Sequence, residues 1–206
     1  MSRPVLACLD LEGVLVPEIW INVAKKTAIS ELRLTTRDVA DYDLLMKRRL
    51  GILDQQGLKL HDIQAVIGTM DPLEGATEFL AWLRERCQVI ILSDTFYEFA
   101  QPLMQRLAYP TIFCNRLEVD QGGRIVNYHL RQTDQKRKSV TALKSLQFLV
   151  VAAGDSYNDT SMLAEADAGI FFRPPDAISK EFPQFPVTQT YAELKEAFCK
   201  AGVMRE

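Results

Sequence analysis

Short apolar stretches alternate with longer amphipathic stretches over most of the chain. Near-continuous apolar runs of strand length indicate buried parallel strands, and apolar residues that recur every three or four positions indicate helices. The strand candidates are PVLACLD (4–10), CQVIILSD (87–94), PTIFC (110–114), FLVVAAGD (148–155) and AGIFF (168–172). The helix candidates that follow them are 74–86, 96–108, 134–146 and 158–166. This alternation predicts an α/β fold with a Rossmann-like, doubly wound parallel sheet.

Two segments depart from this alternation. Residues 15–70 show helical patterns with no strand candidate between them, and MDPLEG (70–75) supplies the proline and glycine of a chain reversal. We therefore expect a core formed by residues 1–14 and 71–206, with residues 15–70 inserted after the first strand as a small helical cap. NRLEVDQGGRIVNYHL (115–130) alternates with a period of two around a glycine pair, which predicts a hairpin.

Composition places the chain among ordinary globular proteins and narrows its partners. Of the 206 residues, 48% are hydrophobic and 25% are charged. A net charge of −3 provides no broad positive field, so neither nucleic acid nor an anionic membrane is expected as a partner. The four cysteines show no CxxC spacing, and no apolar run reaches the roughly 18 residues of a membrane span. A cytoplasmic protein with reduced cysteines is the expectation.

Several strand candidates end in a carboxylate. Asp10, Asp94 and Asp155 each close an apolar run, and Glu12 and Asp159 lie close behind. Open parallel sheets bind ligands at the carboxyl ends of their strands, so these acids are expected to meet in one crevice. A buried group of like charges is costly unless a cation neutralises it, and hard oxygen ligands suit Mg²⁺. The sequence therefore predicts a magnesium site.

A second group of residues suits a phosphate. SDT (93–95) follows a strand candidate, and Lys136 precedes another one. A hydroxyl and backbone N–H groups at a strand-to-helix turn can bind phosphate oxygens, and a lysine adds a compact positive charge. The same tripeptide also fits an ordinary helix N-cap, so the combination of motifs decides between the two interpretations.

Taken together, these motifs resemble the haloacid dehalogenase superfamily of phosphohydrolases. The matching stretches occur in the family's order over nearly the whole chain: DLEGV (10–14), SDT (93–95), Lys136 and GDSYND (154–159). Within the superfamily, KRRLG (47–51) and NRLEVDQGGRI (115–125) are similar to the phosphoserine-specific branch. The resemblance implies Mg²⁺-dependent phosphoryl transfer from phosphoserine to water or to homoserine.

The resemblance also implies residue roles in the core. Asp10 would attack the phosphoryl group and become an aspartyl phosphate. Mg²⁺ would be held by the Asp10 side chain, the backbone carbonyl of Glu12 and Asp155.

The phosphoryl group would have its own ligands. Ser93, Asp94 and Lys136 would bind it, and Asn158 would help to orient its oxygens. Asp159 would anchor Lys136 or a metal-bound water.

Glu12 departs from the family pattern, which carries an aspartate two residues after the nucleophile as the acid and base. Glutamate is one methylene longer, so it can serve the leaving serine oxygen and the incoming acceptor only if its side chain is repositioned. The other interpretation is that Glu12 contributes its backbone alone.

The helical cap would recognise the amino acid. Arg49, with Arg48 as the neighbouring candidate, would bind the substrate carboxylate because a guanidinium can bind it in a bidentate way. The family's ammonium-binding glutamate aligns with Ile19, so Glu18 is assigned to the ammonium one position away.

Two other functions remain open at this stage. One is a phosphatase of the same superfamily that acts on another small phosphate ester, since the core motifs specify the reaction better than the substrate. The other is a non-enzymatic phosphoaspartate switch of the receiver type, which the position of Asp10 on the first strand and the helical insertion disfavour. A homodimer is a further possibility that the pattern leaves open.

Overall fold

The computed structural model describes residues 3–35, 38–39 and 41–203. The strands are β1 (Val5–Leu9), β2 (Gln88–Phe96), β3 (Thr111–Val119), β4 (Ile125–His129), β5 (Leu149–Gly154), β6 (Ala168–Phe172) and β7 (Val187–Thr188). The helices are α1 (Ile19–Thr27), α2 (Tyr42–Gln55), α3 (Leu60–Ile67), α4 (Ala76–Arg84), α5 (Tyr97–Met104), α6 (Gln135–Ser145), α7 (Thr160–Glu165), α8 (Asp176–Glu181) and α9 (Tyr191–Lys200). None of these described helices combines the length and the apolar character that crossing a bilayer requires.

β1 lies in the middle of a seven-stranded sheet with the order β4-β3-β2-β1-β5-β6-β7. β4 is antiparallel to β3, and the other neighbouring strands are parallel. The chain extends the sheet from β1 to β3 on one side and then crosses back, so that β5 pairs with the other side of β1. This confirms the predicted α/β class and its doubly wound sheet. The carboxyl ends of β1 and β5 are neighbours at the point where the winding reverses, which is where such sheets bind ligands.

Alternate residues of β1 pack into two apolar clusters. Ala7 and Leu9 belong to the larger cluster, whereas Leu6 and Cys8 belong to the smaller one. Each of these four side chains is at most 2% exposed. The alternation follows from the two-residue period of a strand, and burial on both faces explains the continuous apolar run. Asp10 therefore extends from a strand that packing holds on both sides.

Helices α1, α2 and α3 lie between β1 and α4 in the chain and contact two parts of the core. Trp20 of α1 packs edge-to-face against Phe99 of α5, with ring centroids 5.4 Å apart. At the turn between β3 and β4, Arg124 donates from Nη2 to Oδ2 of Asp54 in α2 at 2.7 Å. The inserted helices thus contact α5 through apolar rings and the hairpin through an exposed ion pair.

Some element boundaries differ from the predicted ones. β3 continues past residue 114 to Val119, because its second half pairs with β4 after its parallel pairing with β2 ends at Asn115. β2 continues two residues past the predicted end at Asp94, so all of SDT (93–95) lies inside β2, where the register with β3 is interrupted. The predicted helix 158–166 begins as a 3₁₀ turn over Tyr157–Asp159, and α7 follows it.

Candidate active site

The carboxyl ends of β1 and β5 meet at a cluster of aspartates. The backbone N–H of Asp10 donates to the carbonyl of Ala153 at 2.9 Å, which extends the β1–β5 ladder by one residue. Asp155 follows β5 directly, and Asp159 lies in the 3₁₀ turn that comes next. One carboxylate oxygen from each of the three aspartates lies within 4.8 Å of the other two. Asp10 and Asp159 are 5% and 0% exposed, so the cluster is largely shielded from water.

Two glycines make this close approach of carboxylates possible. A Cβ atom on Gly13 would lie 2.3 Å from the carboxylate of Asp155, and the φ angle of Gly13 is +79°. A Cβ atom on Gly154 would lie 2.4 Å from Cγ of Asp159. Any other residue at these positions would displace the neighbouring carboxylate, so the loop after β1 and the end of β5 are shaped for the cluster.

Lys136 brings an ammonium group into the cluster from the first turn of α6. Its Nζ donates to Oδ1 of Asp159 at 2.7 Å and lies 2.9 Å from Oδ1 of Asp10. The lysine side chain is 3% exposed. The other oxygen of Asp159 accepts hydrogen bonds from the backbone N–H groups of Asp155 and Ser156, each at 3.1 Å. Asp159 therefore links the lysine to the turn after β5.

The charges of the cluster shift the pKa values of its members. Burial raises the pKa of Asp10 well above its ordinary value, and the charge of Asp159 raises it further while Lys136 opposes the shift. Burial, together with the charge of Asp159, raises the pKa of Asp155 to about 7. Burial lowers the pKa of Lys136, but the carboxylates of Asp10, Asp159 and Asp94 outweigh it and raise the pKa well above the ordinary value. Carboxylate charge therefore exceeds the charge that one lysine supplies, so the cluster favours a hard divalent cation.

The end of β2 also lies next to Lys136. Asp94 has Oδ2 3.8 Å from Nζ of Lys136, and the same oxygen accepts a hydrogen bond from Nδ2 of Asn158 at 2.8 Å. Gln135 donates from Nε2 to the carbonyl of Ser93 at 2.6 Å and to Oδ1 of Asp94 at 3.2 Å. Ser93 is 1% exposed. Asp94 thus lies beside Lys136, and Gln135 connects Asp94 to Ser93.

Glu12 turns its side chain towards the first turn of α1. Its Oε2 accepts a hydrogen bond from the backbone N–H of Ile19 at 2.7 Å. Burial raises the pKa of Glu12 to about 8, and the charge of the neighbouring Glu18 contributes in the same direction, whereas the N–H of Ile19 lowers the pKa. Burial and the charge of Glu18 therefore both favour the protonated form of the Glu12 carboxyl.

Arg49 and Tyr42 bring polar groups from α2 to the same place. Arg49 is 7% exposed and donates from Nη2 to the carbonyl of Leu34 at 2.7 Å, and among the described residues its Nε has no hydrogen-bond partner. Burial lowers the pKa of Arg49 to about 10, although the charges of Tyr42, Glu12 and Glu18 raise it. The hydroxyl of Tyr42 donates to the backbone carbonyl of Asp94 in β2, at 3.5 Å. The inserted helices thus present a guanidinium and a phenol to the acidic residues of the core.

A family model described as haloacid dehalogenase-like hydrolase matches residues 28–164. A phosphoserine phosphatase of Pseudomonas syringae pv. tomato is 66% identical to this chain over 96% of its length and 83% of the relative. The chain belongs to the haloacid dehalogenase-like hydrolase family. This confirms the family resemblance that the sequence motifs indicate.

Other relatives of this haloacid dehalogenase-like hydrolase agree with that assignment. A protein of Pseudomonas aeruginosa named phosphoserine phosphatase ThrH is 64% identical over 96% of this chain and 96% of the relative. The crystal structure of a phosphoserine phosphatase in its apo form superposes with a TM-score of 0.76 at 21% identity, over 95% of this chain and 98% of that one. A likeness at that identity establishes the common fold.

The structure brings together most of the residues that the sequence singles out in this haloacid dehalogenase-like hydrolase. One group lies together in the core and consists of Asp10, Ser93, Asp94, Lys136, Asp155, Asn158 and Asp159. A second group lies between the core and the inserted helices and consists of Glu12, Glu18 and Arg49. Sequence reasoning missed Gln135 and Tyr42. Gln135 precedes Lys136 at the start of a helix, but the sequence pattern does not show that its side chain is buried.

Proposed function

We propose that the protein transfers the phosphoryl group of phosphoserine, through an aspartyl phosphate on Asp10, to water or to homoserine. The observation that carries this proposal is the position of Asp10. Its carboxylate is buried at the reversal point of the sheet, 2.9 Å from the ammonium of Lys136 and beside Asp155 and Asp159. Relatives that are 64% and 66% identical over nearly the whole chain are named phosphoserine phosphatases, which supports the choice of substrate.

We also propose Mg²⁺ as the cofactor, held by the Asp10 side chain, the Glu12 backbone carbonyl and Asp155. The residues fit such an ion because the donors are all oxygens, and the carboxylates of Asp10 and Asp155 have raised pKa values that a cation would reverse. When bound, Mg²⁺ polarises a phosphoryl oxygen and offsets the negative charge between the phosphate and the carboxylates.

In the first half of the reaction, an Asp10 carboxylate oxygen forms a bond to phosphorus, and the bond from phosphorus to the serine oxygen breaks. Lys136 and Ser93 bind the phosphoryl oxygens, with Asp94 and Asn158 beside them, and their fixed positions favour the transition state over the bound substrate. Glu12 gives its proton to the departing serine oxygen. The raised pKa of Glu12, about 8, suits a group that must carry a proton at neutral pH.

In the second half, an oxygen nucleophile attacks the phosphorus of the aspartyl phosphate, and the bond to Asp10 breaks. Glu12, now ionised, takes the proton of that nucleophile. Water gives inorganic phosphate, whereas the hydroxyl of homoserine gives phosphohomoserine. Lys136 remains tied to Asp159 during both steps, so its charge stays at the phosphoryl group.

Residues 15–70 act in this proposal as the cap that recognises the amino acid head group. Arg49 binds the carboxylate, for which its unpartnered Nε offers a buried donor. Glu18, whose charge acts on both Glu12 and Arg49, binds the ammonium. Serine and homoserine carry the same head group, so one site serves the donor and then the acceptor.

One experiment tests substrate, acceptor and reaction class together. The full chain with Mg²⁺ is given phosphoserine, with and without homoserine, and inorganic phosphate and phosphohomoserine are quantified over many turnovers. We expect phosphate release with phosphoserine alone and phosphohomoserine when homoserine is present. Phosphate release without phosphohomoserine would remove the transferase part of the proposal. Equal turnover of unrelated small phosphate esters would overturn phosphoserine specificity, and a single stable phosphorylation would indicate a receiver-type switch.

A further inference from the structure

The carboxylate of Asp94 lies beside the lysine that is proposed to bind the phosphoryl group. A carboxylate in this position competes with the substrate, because the carboxylate and a phosphate oxygen can both bind the ammonium of Lys136. Asp10 and Asp159 lie within hydrogen-bond distance of Nζ of Lys136, at 2.9 Å and 2.7 Å. Oδ2 of Asp94 stops at 3.8 Å, beyond a hydrogen bond. Asp94 is therefore the one of these three carboxylates that does not form a hydrogen bond with Lys136.

Two amide groups bind the Asp94 carboxylate, one at each oxygen. Nε2 of Gln135 donates to Oδ1 of Asp94 at 3.2 Å, and Nδ2 of Asn158 donates to Oδ2 at 2.8 Å. Gln135 extends from the start of α6 and Asn158 from the turn after β5. The carboxylate is thus held between α6 and the turn after β5.

The orientation of the Gln135 amide is fixed by a second acceptor and has a cost. Its Nε2 also donates to the carbonyl of Ser93 at 2.6 Å, so the amide nitrogen must face β2. The amide oxygen, Oε1, is then buried with no hydrogen-bond partner within residues 3–35, 38–39 and 41–203. A buried acceptor without a partner is destabilising. Gln135 thus donates from a single amide nitrogen to both Ser93 and Asp94, and these two acceptors hold the donor in place beside the carboxylate.

We propose that Gln135 and Asn158 are positioning residues that hold the carboxylate of Asp94 away from Lys136, so that the ammonium stays available to a phosphoryl group. Without either amide, Asp94 rotates towards Nζ and forms a direct ion pair that substrate must displace. The inference rests on the proposed function in one respect, that Lys136 binds the phosphoryl group. It makes the contribution of Asn158 an indirect one, through Asp94.

The first test removes the Gln135 donor and keeps the side-chain length. Gln135→Met is compared with the wild-type chain for binding of inorganic phosphate, by titration calorimetry with Mg²⁺ present, and for kcat and KM with phosphoserine. Phosphate affinity is expected to fall about tenfold, the size of one charge-assisted hydrogen bond, and KM is expected to rise. Gln105→Met, a substitution at an exposed position, is the control and is expected to change neither quantity.

The decisive test is rescue by a second substitution. Asp94→Asn removes the negative charge but keeps an oxygen that can accept from Asn158, so Gln135→Met together with Asp94→Asn should bind phosphate at least about fivefold more tightly than Gln135→Met alone. Asn158→Ala combined with Asp94→Asn should show the same recovery relative to Asn158→Ala. A glutamine that acts only by filling space would give added losses in the double variant, and that result would overturn the inference.

The outcomes separate this inference from the proposed function. In one outcome the variants lose and regain phosphate binding as expected, but the wild-type chain does not hydrolyse phosphoserine. That result would support the inference and overturn the substrate assignment. Normal phosphate binding by Gln135→Met, with phosphoserine hydrolysis intact, would overturn the inference and leave the proposed function standing. If Gln135→Met unfolds, as judged by circular dichroism, the exposed Asn158 position decides the question alone.

Discussion

The guanidinium of Arg49 lies over the indole ring of Trp20, with Cζ 4.5 Å from the ring centroid. This stack joins α2 to α1 and buries a cation whose Nε has no partner in the part of the chain that the structure describes. Arg48, one residue earlier in α2, is exposed because adjacent helix positions face different directions. The structure therefore distinguishes two arginines that the sequence presents side by side.

Replacement of Arg49 is expected to raise the KM for phosphoserine while changing kcat less. The loss of a charge-assisted contact to the substrate carboxylate corresponds to a rise of about 10- to 100-fold in Arg49→Ala. Arg49→Lys should recover little, because an ammonium reproduces neither the stack on Trp20 nor the planar donor pair. Arg48→Ala is the matched control. Initial-rate kinetics that show equal losses in the two alanine variants would contradict this assignment.

Gly13→Ala is expected to abolish turnover and the stabilisation of the protein by Mg²⁺. The new Cβ atom would lie 2.3 Å from the Asp155 carboxylate, so that side chain must leave the cluster. Gly57→Ala is a matched control, since Gly57 also has a positive φ of +65° but has nothing within 4 Å of an added Cβ atom. That control should lose about 1 kcal/mol of stability from backbone strain and keep its activity. Thermal unfolding with Mg²⁺ and with a chelator measures both effects, and an unchanged Mg²⁺ response in Gly13→Ala would refute the prediction.

Asp10→Asn is expected to lower phosphoserine hydrolysis by at least about a thousandfold, because an amide oxygen is a poor nucleophile towards phosphorus. The fold should persist, since the substitution removes a carboxylate whose charge is disfavoured by burial and by the neighbouring charges of Asp159 and Asp155. Phosphate release gives the rate, and mass spectrometry of quenched wild-type enzyme should show one added phosphoryl group that the variant lacks. Asp176→Asn, at an exposed position in α8, is the control. Phosphorylation of Asp10→Asn at another residue would rule out Asp10 as the nucleophile.

Asp167 is expected to make stability depend on pH at the acidic end. Partial burial raises the pKa of Asp167, but hydrogen bonds from Val150 N–H at 2.8 Å and from Arg3 at 3.0 Å lower it below the ordinary value overall. A carboxylate whose pKa is lower in the folded protein stabilises the fold above its unfolded pKa of about 4, and that contribution disappears as the pH falls through the folded pKa. At pH 7 the free energy of unfolding of the wild type should exceed that of Asp167→Asn by about 1 kcal/mol.

Urea unfolding of both proteins between pH 7 and pH 3 measures that difference. The gap between wild type and Asp167→Asn should be constant from pH 7 to about pH 5 and should shrink below about pH 4. Asp176→Asn again serves as the exposed control. A gap that widened as the pH fell would show that the sign of the Asp167 contribution is wrong.

The parts of the fold that sequence reasoning found are those with a local signal. The apolar run of β1 stops at Asp10 and that of β5 stops at Asp155, and a doubly wound sheet places such strand ends together. Each observation needs only a few consecutive residues and one rule of topology. The alternating residues around the glycines at positions 122 and 123 likewise predicted the β3–β4 hairpin.

The parts that it missed depend on contacts between distant segments. β7 consists of Val187 and Thr188, too short a stretch to show any period, and its pairing with β6 defines it. The bond from Gln135 to Asp94 joins α6 to β2, and the identity of either residue gives no indication of the other. The hydroxyl of Tyr42 reaches β2 only because α2 lies over the core in one particular orientation, which a helical pattern does not specify.

The placement of β1 between β2 and β5 has a consequence for the order in which the molecule can assemble on the ribosome. Asp10 is among the first residues to be synthesised, but Asp155 and Asp159 join it only when β5 pairs with β1, after three quarters of the chain has emerged. Until then β1 has β2 as its only partner in the sheet and one edge unpaired. Electrostatic repulsion among the aspartates arises at that step, so a cation that binds them stabilises the sheet only from the pairing of β5 onwards.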